Sequence, residues 1–506
     1  MSFSYFSTRW FVVAAGLAGA FAACSDDSDT MTSGSPTGGT AGAGGVDFTT
    51  VASTSSGGGA GGAGGSMPAC DGSPTAGPFI LASRFGGAGD QAGAAVTTDA
   101  AGNVLITGAF AGTVNFGGVD LTSTDADVDL YVAKFSPTGQ HLWSQRFGEL
   151  KAQVGTAIAT DSDGNVYVTG LFLGSMTFGG TTLTTSGSGL FSDAFLAKLD
   201  SSGVAQWSKS FVGGTNDGES SRAVAVSTGK VAIVGDYQGS INLGGGALLA
   251  AGGIDMFVAE FNAAGDHVWS KAFGDVADQF GRSVAYDTQG NVLVTGDAQG
   301  TVDFGGGPKI AQGNPSAFVA KLGAGGEHVY SFSFGDGASS GVGITAAPDG
   351  GAVVTGDFQG SIDFGGGPLE SPSNDDVFVA RLDAQGGHLW SHRFGDELAQ
   401  HARAVAVDAS GNVILTGYYS GTMTFGEMVL TNAGIFDAYA AKLDSEGCSV
   451  WAKSFGDPTY QSGDGVAVDG SGNAFFTGKF SGTVDFGGGG LVSAGGADIF
   501  LTKLGP

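Results

Sequence analysis

Arg222, Arg282 and Arg403 stand at matching places in three of seven similar stretches, where the other copies carry Ala94, Thr156, Val342 and Asp464. The chain has only 20 lysines and arginines, so three at one repeated position are a notable share. A guanidinium presents a planar fork of donors that fits a carboxylate or another anion. Three residues ahead of this position stand Gln91, Gln153, Glu219, Gln279, Gln400 and Gln461, with Ser339 in the fifth copy. Such a ring of amides either binds sugar hydroxyls or, being nearly uniform, ties neighbouring copies together. The pattern predicts a ligand site in which Arg222, Arg282 and Arg403 orient an anionic group while Gln279 and Gln400 donate hydrogen bonds. The competing expectation is neutralisation of the arginines by local acids such as Glu219, Asp278 and Glu397.

Other chemistry has little to work with. His141, His267, His328 and His388 each precede an aromatic residue by two places, which makes them part of the repeat. Only His392 and His401 remain, a thin supply for a zinc site or a Ser-His-Asp triad. None of the three cysteines has metal-ligand spacing. Asp161-Ser162-Asp163-Gly164-Asn165 opens like a calcium loop, but the strand-like Val166-Tyr167-Val168 follows where more ligand oxygens are needed. The other copies place Asp99, Asp287, Asp408 and Asp469 in the same turn without the second acid, so turn chemistry is expected. Further acids (Asp275, Asp336, Asp396, Asp457, and Asp129, Asp193, Asp255, Asp437, Asp498) could gather Ca²⁺ or simply keep a charge-poor surface soluble. No catalytic residue and no cofactor is expected, with Ca²⁺ the one candidate ion.

Composition narrows the partners. Among 506 residues there are 95 glycines, and 48 acids face 20 bases, for a net charge of −28. That charge argues against nucleic acid and anionic membrane surfaces. With 12 prolines and no Gly-X-Y period the chain is not collagen, and with 42% hydrophobic residues and 36 phenylalanines it is not globally disordered.

The N-terminus has the form of an export signal. Residues 1–9 carry one cation and residues 10–23 are an apolar run too short for a stable membrane span. Ala22-Ala23-Cys24 resembles the end of the lipobox of bacterial lipoproteins, in which the cysteine becomes the lipidated first residue; Phe21 stands where that motif most often has Leu. Ordinary cleavage near Ala20-Phe21-Ala22 is the alternative. Residues 24–78 are rich in Gly, Ser and Thr, the composition of a flexible tether reaching roughly 35–40 Å.

From Phe79 to Pro506 the chain repeats. The glycine of a Thr-Gly pair (Val234-Gly235 in the third copy) recurs at Gly108, Gly170, Gly235, Gly296, Gly356, Gly417 and Gly478, at intervals of 60–65 residues. Phe85, Phe147, Phe211, Phe273, Phe334, Phe394 and Phe455 recur alongside it. Each copy has the pattern of four short strands: in the fourth these are Ser283–Tyr286, Asn291–Gly296, Ala317–Leu322 and His328–Phe334, with a glycine-rich excursion before the third. Third strands such as Leu130-Tyr131-Val132-Ala133 are apolar throughout, as sheets stacked face to face require. The fold is therefore all-β, a seven-bladed β-propeller with four-stranded blades. Residues 79–85 match a fourth strand and the last copy ends after its third, so the N-terminal strand should complete the last blade by pairing with the C-terminal strands.

Stretches such as Ala404–Gly417, with third strands like Phe378-Val379-Ala380 and fourth strands like Leu389-Trp390-Ser391, resemble bacterial SBBP (seven-bladed β-propeller) repeats over residues 79–506. The Asp-x-x-Gly-Asn turn is also similar to that of NHL propeller repeats. The third copy (Ser227-Thr228-Gly229-Lys230) and the fifth (Ala347-Pro348-Asp349-Gly350-Gly351) depart from that turn. The resemblance implies a secreted or surface-anchored propeller and no particular activity.

The expectation is thus a monomeric, non-catalytic binding or interaction module for a protein or glycan. It would sit in the cell envelope, at the outer membrane or cell surface, touching the membrane only through its lipid anchor, or else be secreted. The alternatives are a lyase- or dehydrogenase-like propeller enzyme working at the channel mouth and a Ca²⁺-stabilised structural component. With Cys24 lipidated, Cys70 and Cys448 are an even pair in an oxidising compartment and are expected to form a disulfide.

Overall fold

The repeated Thr-Gly pair lies in the second of four antiparallel strands, and the computed structural model, which describes residues 77–186, 190–214 and 217–506, shows this unit seven times. All described residues belong to the unit Met67–Pro506. Blade 1 is Gln91–Thr98, Val104–Phe110, Asp129–Phe135 and His141–Phe147, hydrogen-bonded in that order. Blades 2 to 6 begin at Gln153, Glu219, Gln279, Ser339 and Gln400 and keep the same order.

Blade 7 is built from both ends of the propeller. Gln461–Val468, Ala474–Phe480 and Asp498–Leu504 are followed in the sheet by Phe79–Phe85, antiparallel, with Ala82 opposite Thr502 and Phe85 opposite Ile499. The expected closure is present. It leaves the blades in a ring whose seams are filled by seven apolar clusters, each drawing on two adjacent blades. The seam between blades 7 and 1, for example, packs Phe475, Ile499 and Leu501 against Val96, Ile106 and Tyr131. The third strands of blades 1, 4 and 6 are buried end to end, which explains the apolar run at their centre, as in Leu130-Tyr131-Val132-Ala133.

The repeated residues have architectural jobs. In the Asp-x-x-Gly-Asn turns the aspartate accepts backbone N–H bonds from the second and fourth residues beyond it and a side-chain bond from the Asn. A lysine on the third strand completes the set, as in Lys134–Asp99 at 2.9 Å and Lys321–Asp287 at 2.7 Å. Trp143, Trp207, Trp269 and Trp390 each donate from Nε1 to a carbonyl in the next blade. His141, His267, His328 and His388 bond the serine three residues on, at 3.0–3.1 Å.

Two features differ from the sequence reading. The glycine-rich excursions, outside the four strands read in each copy, carry strands of their own. In five blades they form a separate two-stranded hairpin, such as Thr113–Val114 with Leu121–Thr122. In blades 3 and 5 they merge into the long strands Lys230–Asn242 with Ala247–Asn262 and Ala352–Ile362 with Leu369–Leu382. The first strand of blade 4 begins at Gln279 rather than Ser283, so the repeated glutamines lie inside the strands and not in the loops before them.

Candidate functional site

Every innermost strand carries a β-bulge, and it falls at the variable position each time: Ala94, Thr156, Arg222, Arg282, Val342, Arg403 and Asp464. A bulge inserts one residue that has no partner across the ladder and re-aims its side chain. The repeated glycine makes it possible. A Cβ on Gly108, Gly296 or Gly417 would collide with the carbonyl oxygen of Ala92, Phe280 or His401, two residues before the bulge. Only a residue without a side chain lets the strand kink that closely. The invariant glycine and the variable residue are thus two halves of one device, a fixed kink that offers a changeable side chain at the inner edge of each blade.

Chemistry at these kinks is unevenly spread. In blades 1 and 2 the bulge residue, the residue two places before it and the one opposite that are Ala94, Ala92 and Ala109, then Thr156, Val154 and Leu171. In blades 3 to 7 the same places hold Arg222, Ser220 and Asp236; Arg282, Phe280 and Asp297; Val342, Ser340 and Asp357; Arg403, His401 and Tyr418; and Asp464, Ser462 and Lys479. One side of the mouth carries no charge at these places and the other is charged.

The three arginines are not equivalent. Arg222 makes a two-pronged pair with Asp236, Nε to Oδ1 at 2.6 Å and a terminal nitrogen to Oδ2 at 3.1 Å. Arg282 pairs with Asp297, which also accepts from Ser340 Oγ of the next blade at 2.8 Å. Arg403 lies over the Tyr418 ring at 4.9 Å and donates to its hydroxyl at 2.9 Å. Its nearest acid is Asp464, 3.9 Å away on the bulge of blade 7, and its buried Nε has no hydrogen-bond partner. Neutralisation does occur at Arg222 and Arg282, but not by the acids the sequence suggested. Glu219 faces Asp193 instead, Asp278 accepts the Ile254 N–H, and Glu397 is exposed. The signal for the true partners was an aspartate directly after the repeated glycine.

Around Arg403 the wall is aromatic. Tyr418, Phe436 and Tyr460 lie within 5.1–6.0 Å of one another, and Lys479 sits over the Tyr460 ring at 5.6 Å. His401 packs on Tyr418 at 4.8 Å, and its Nδ1 is 3.1 Å from Asp357 Oδ2, whose other oxygen accepts the Ala402 N–H. The sequence had left His401 without a role, because its partner lies in a different blade.

Gln279 and Gln400 are fully buried and occupied. Gln279 donates to Asp275 and to the Gln299 carbonyl while accepting the Asp275 N–H; Gln400 does the same with Asp396 and Ser420. They hold the mouth loops in shape, and their amides are not aimed at a ligand. In blade 3 the glutamine is replaced by Glu219, buried against the buried Asp193, and its carboxyl is pushed up to about 10 by burial and then by the Asp193 charge.

Asp161 spends its oxygens on Asn165, Tyr167 and Lys198, which is turn chemistry. No cluster of three or more His, Cys, Asp or Glu side chains is placed to hold a metal among the described residues. Cys448, just before the outer strand of blade 6, is disulfide-bonded; Cys24 and Cys70 lie outside the described residues.

Residues 142–171, from the outer strand of blade 1 into the second strand of blade 2, match the SBBP β-propeller repeat model. An uncharacterized WD repeat-containing protein of Acanthamoeba polyphaga mimivirus is 23% identical over 389 residues, covering 62% of this chain and 28% of that protein. The chain thus spans under a third of that relative's length. Among solved structures, the WD40 β-propeller domain of Doa1 aligns with 84% of this chain and 96% of its own at 10% identity and a TM-score of 0.41. Puromycin hydrolase aligns with 78% of this chain and 51% of its own at 12% identity and a TM-score of 0.40. Nothing about what this chain binds follows from such loose superpositions.

Proposed function

We propose that this β-propeller repeat protein is a non-catalytic binding module, exported and held at the cell surface by a lipid on Cys24, that takes its ligand over the charged half of the channel mouth. The propeller fold with a WD-repeat relative suggests an interaction module. One observation carries the placement: the seven bulges share a backbone device, yet charged and aromatic residues gather at blades 3 to 7. Blades 1 and 2 hold the ring with alanine, threonine, valine and leucine at these places, so architecture does not demand the charges. Export and anchoring are supported by the apolar run ending at Cys24 and the tether behind it. The test is an array of glycans and peptides probed with the mature chain and with the Arg222→Ala, Arg282→Ala, Arg403→Ala triple variant. The variant should fold and lose binding; equal binding by both refutes the placement.

The pair His401–Asp357 favours a second reading, a propeller enzyme, because a carboxylate on Nδ1 is the arrangement that orients an imidazole as a general base. Turnover of an array ligand by the parent and not by His401→Ala is what that reading requires.

A further inference from the structure

We infer, resting on the reading just given, that the ligand is a carboxylated saccharide, a chain containing uronic acid units, seated at blades 6 and 7. The cations come first. Arg222 and Arg282 are each closed by an aspartate of their own blade, whereas Arg403 keeps a buried Nε without a partner and an acid no nearer than 3.9 Å. Lys479 joins none of the ion pairs among the described residues and lies over Tyr460, whose ring is 5.8 Å from that of Tyr418. Two cations therefore flank one aromatic cluster with unused capacity for a carboxylate.

The surrounding groups choose between anions. Asp357, Asp375 and Asp464 are acceptors, with Gln359 bonded to Asp375 and Ser462 to Asp464. A ligand with many hydroxyl donors and one carboxylate per ring can use these acids as well as the cations. An acidic peptide carries as many carboxylates per unit but no hydroxyl donors, so the same acids repel it with less hydrogen bonding in compensation. The half-buried Phe436 and Tyr460 add an apolar platform suited to the C–H face of a pyranose. Each feature belongs to blades 5 to 7 and has no counterpart in blades 1 and 2.

The test is calorimetric titration of the mature full chain with tetragalacturonic acid, its methyl ester, a neutral cellulose tetrasaccharide and a tetraglutamate peptide. The acid should bind at least roughly tenfold more tightly than the ester or the neutral sugar. Arg403→Gln and Lys479→Gln should each weaken it severalfold without moving the melting temperature; Lys479→Gln breaks no ion pair and serves where the arginine variant fails to fold. Equal affinity for acid and ester, tighter binding of the peptide, or full affinity in the folded variants overturns the inference. If a different array ligand binds and the triple arginine variant loses it, only the ligand class is wrong. If tetragalacturonic acid binds with full affinity to the triple variant and to Lys479→Gln, the mouth itself is wrong.

Discussion

Gly417 packs against the carbonyl oxygen of His401, and that contact lets Arg403 leave the ladder of blade 6. The relationship predicts that Gly417→Ala costs about 1–3 kcal/mol, the usual penalty for forcing atoms into a packed site. Gly470→Ala is the control, since a Cβ there meets nothing within 4 Å. Denaturant titration of both variants checks this. Equal stability of the two would mean the kink does not depend on the missing side chain.

Phe79–Phe85 supplies the outer strand of blade 7 and Arg84 reaches Asp498 at 2.8 Å. Deleting residues 77–86 should lower the melting temperature by roughly ten degrees or more, because the ring loses a strand and part of the blade 7–1 seam. A truncated chain melting within about two degrees of the parent would contradict the closure.

Burial raises the carboxyl of Asp193 and of its counterparts Asp129, Asp255 and Asp376 alike, but Glu219 gives the blade 2–3 seam a second titrating group where those seams hold a glutamine. Glu219 holds its proton to about 10 when folded and releases it near 4.3 when unfolded. Between those values the folded chain binds the extra proton, so this site makes stability fall as pH rises, by at most about 1.4 kcal/mol per unit. Asp193, Asp217 and Ser186 are the polar groups around it. Glu219→Gln, which restores the residue of the neighbouring blades, should remove this site's share of the slope and raise stability at pH 8 while leaving pH 4 little changed. Parallel melting curves against pH for the two chains would refute the assignment.

Much of the fold was legible because one solution is repeated. The spacing of Gly108 to Gly478 gave the blade count, and the match of residues 79–85 to a fourth strand gave the closure. The site was legible only in part, for a physical reason. Cross-strand register does not show in a single strand, so Gln279 and Gln400 passed for loop residues and the bulge at Arg403 went unseen. Partners in other strands were also hidden: Asp236 and Asp297 neutralise Arg222 and Arg282, and Asp357 reaches His401 from the neighbouring blade. No strands were legible in the excursions because the two-residue strands there, such as Thr301–Val302 and Lys309–Ile310, are too short to show a pattern beside Gly305 and Gly306.

Cys448 is disulfide-bonded, and the expected partner is Cys70, with Cys24 carrying lipid. Peptide mapping of the non-reduced mature protein should recover a Cys70–Cys448 peptide, and Cys448→Ser should cost about 2–5 kcal/mol. A Cys24–Cys448 peptide would contradict both the pairing and the lipid anchor.

The central claim is that ligands meet the charged half of the mouth and not the ring as a whole. The most direct measurement compares two variants at the same bulge position, Arg403→Ala in blade 6 and Thr156→Ala in blade 2, against one array ligand. Arg403→Ala should lose at least roughly tenfold in affinity, and Thr156→Ala should bind like the parent. Equal affinity in the two variants would contradict the account.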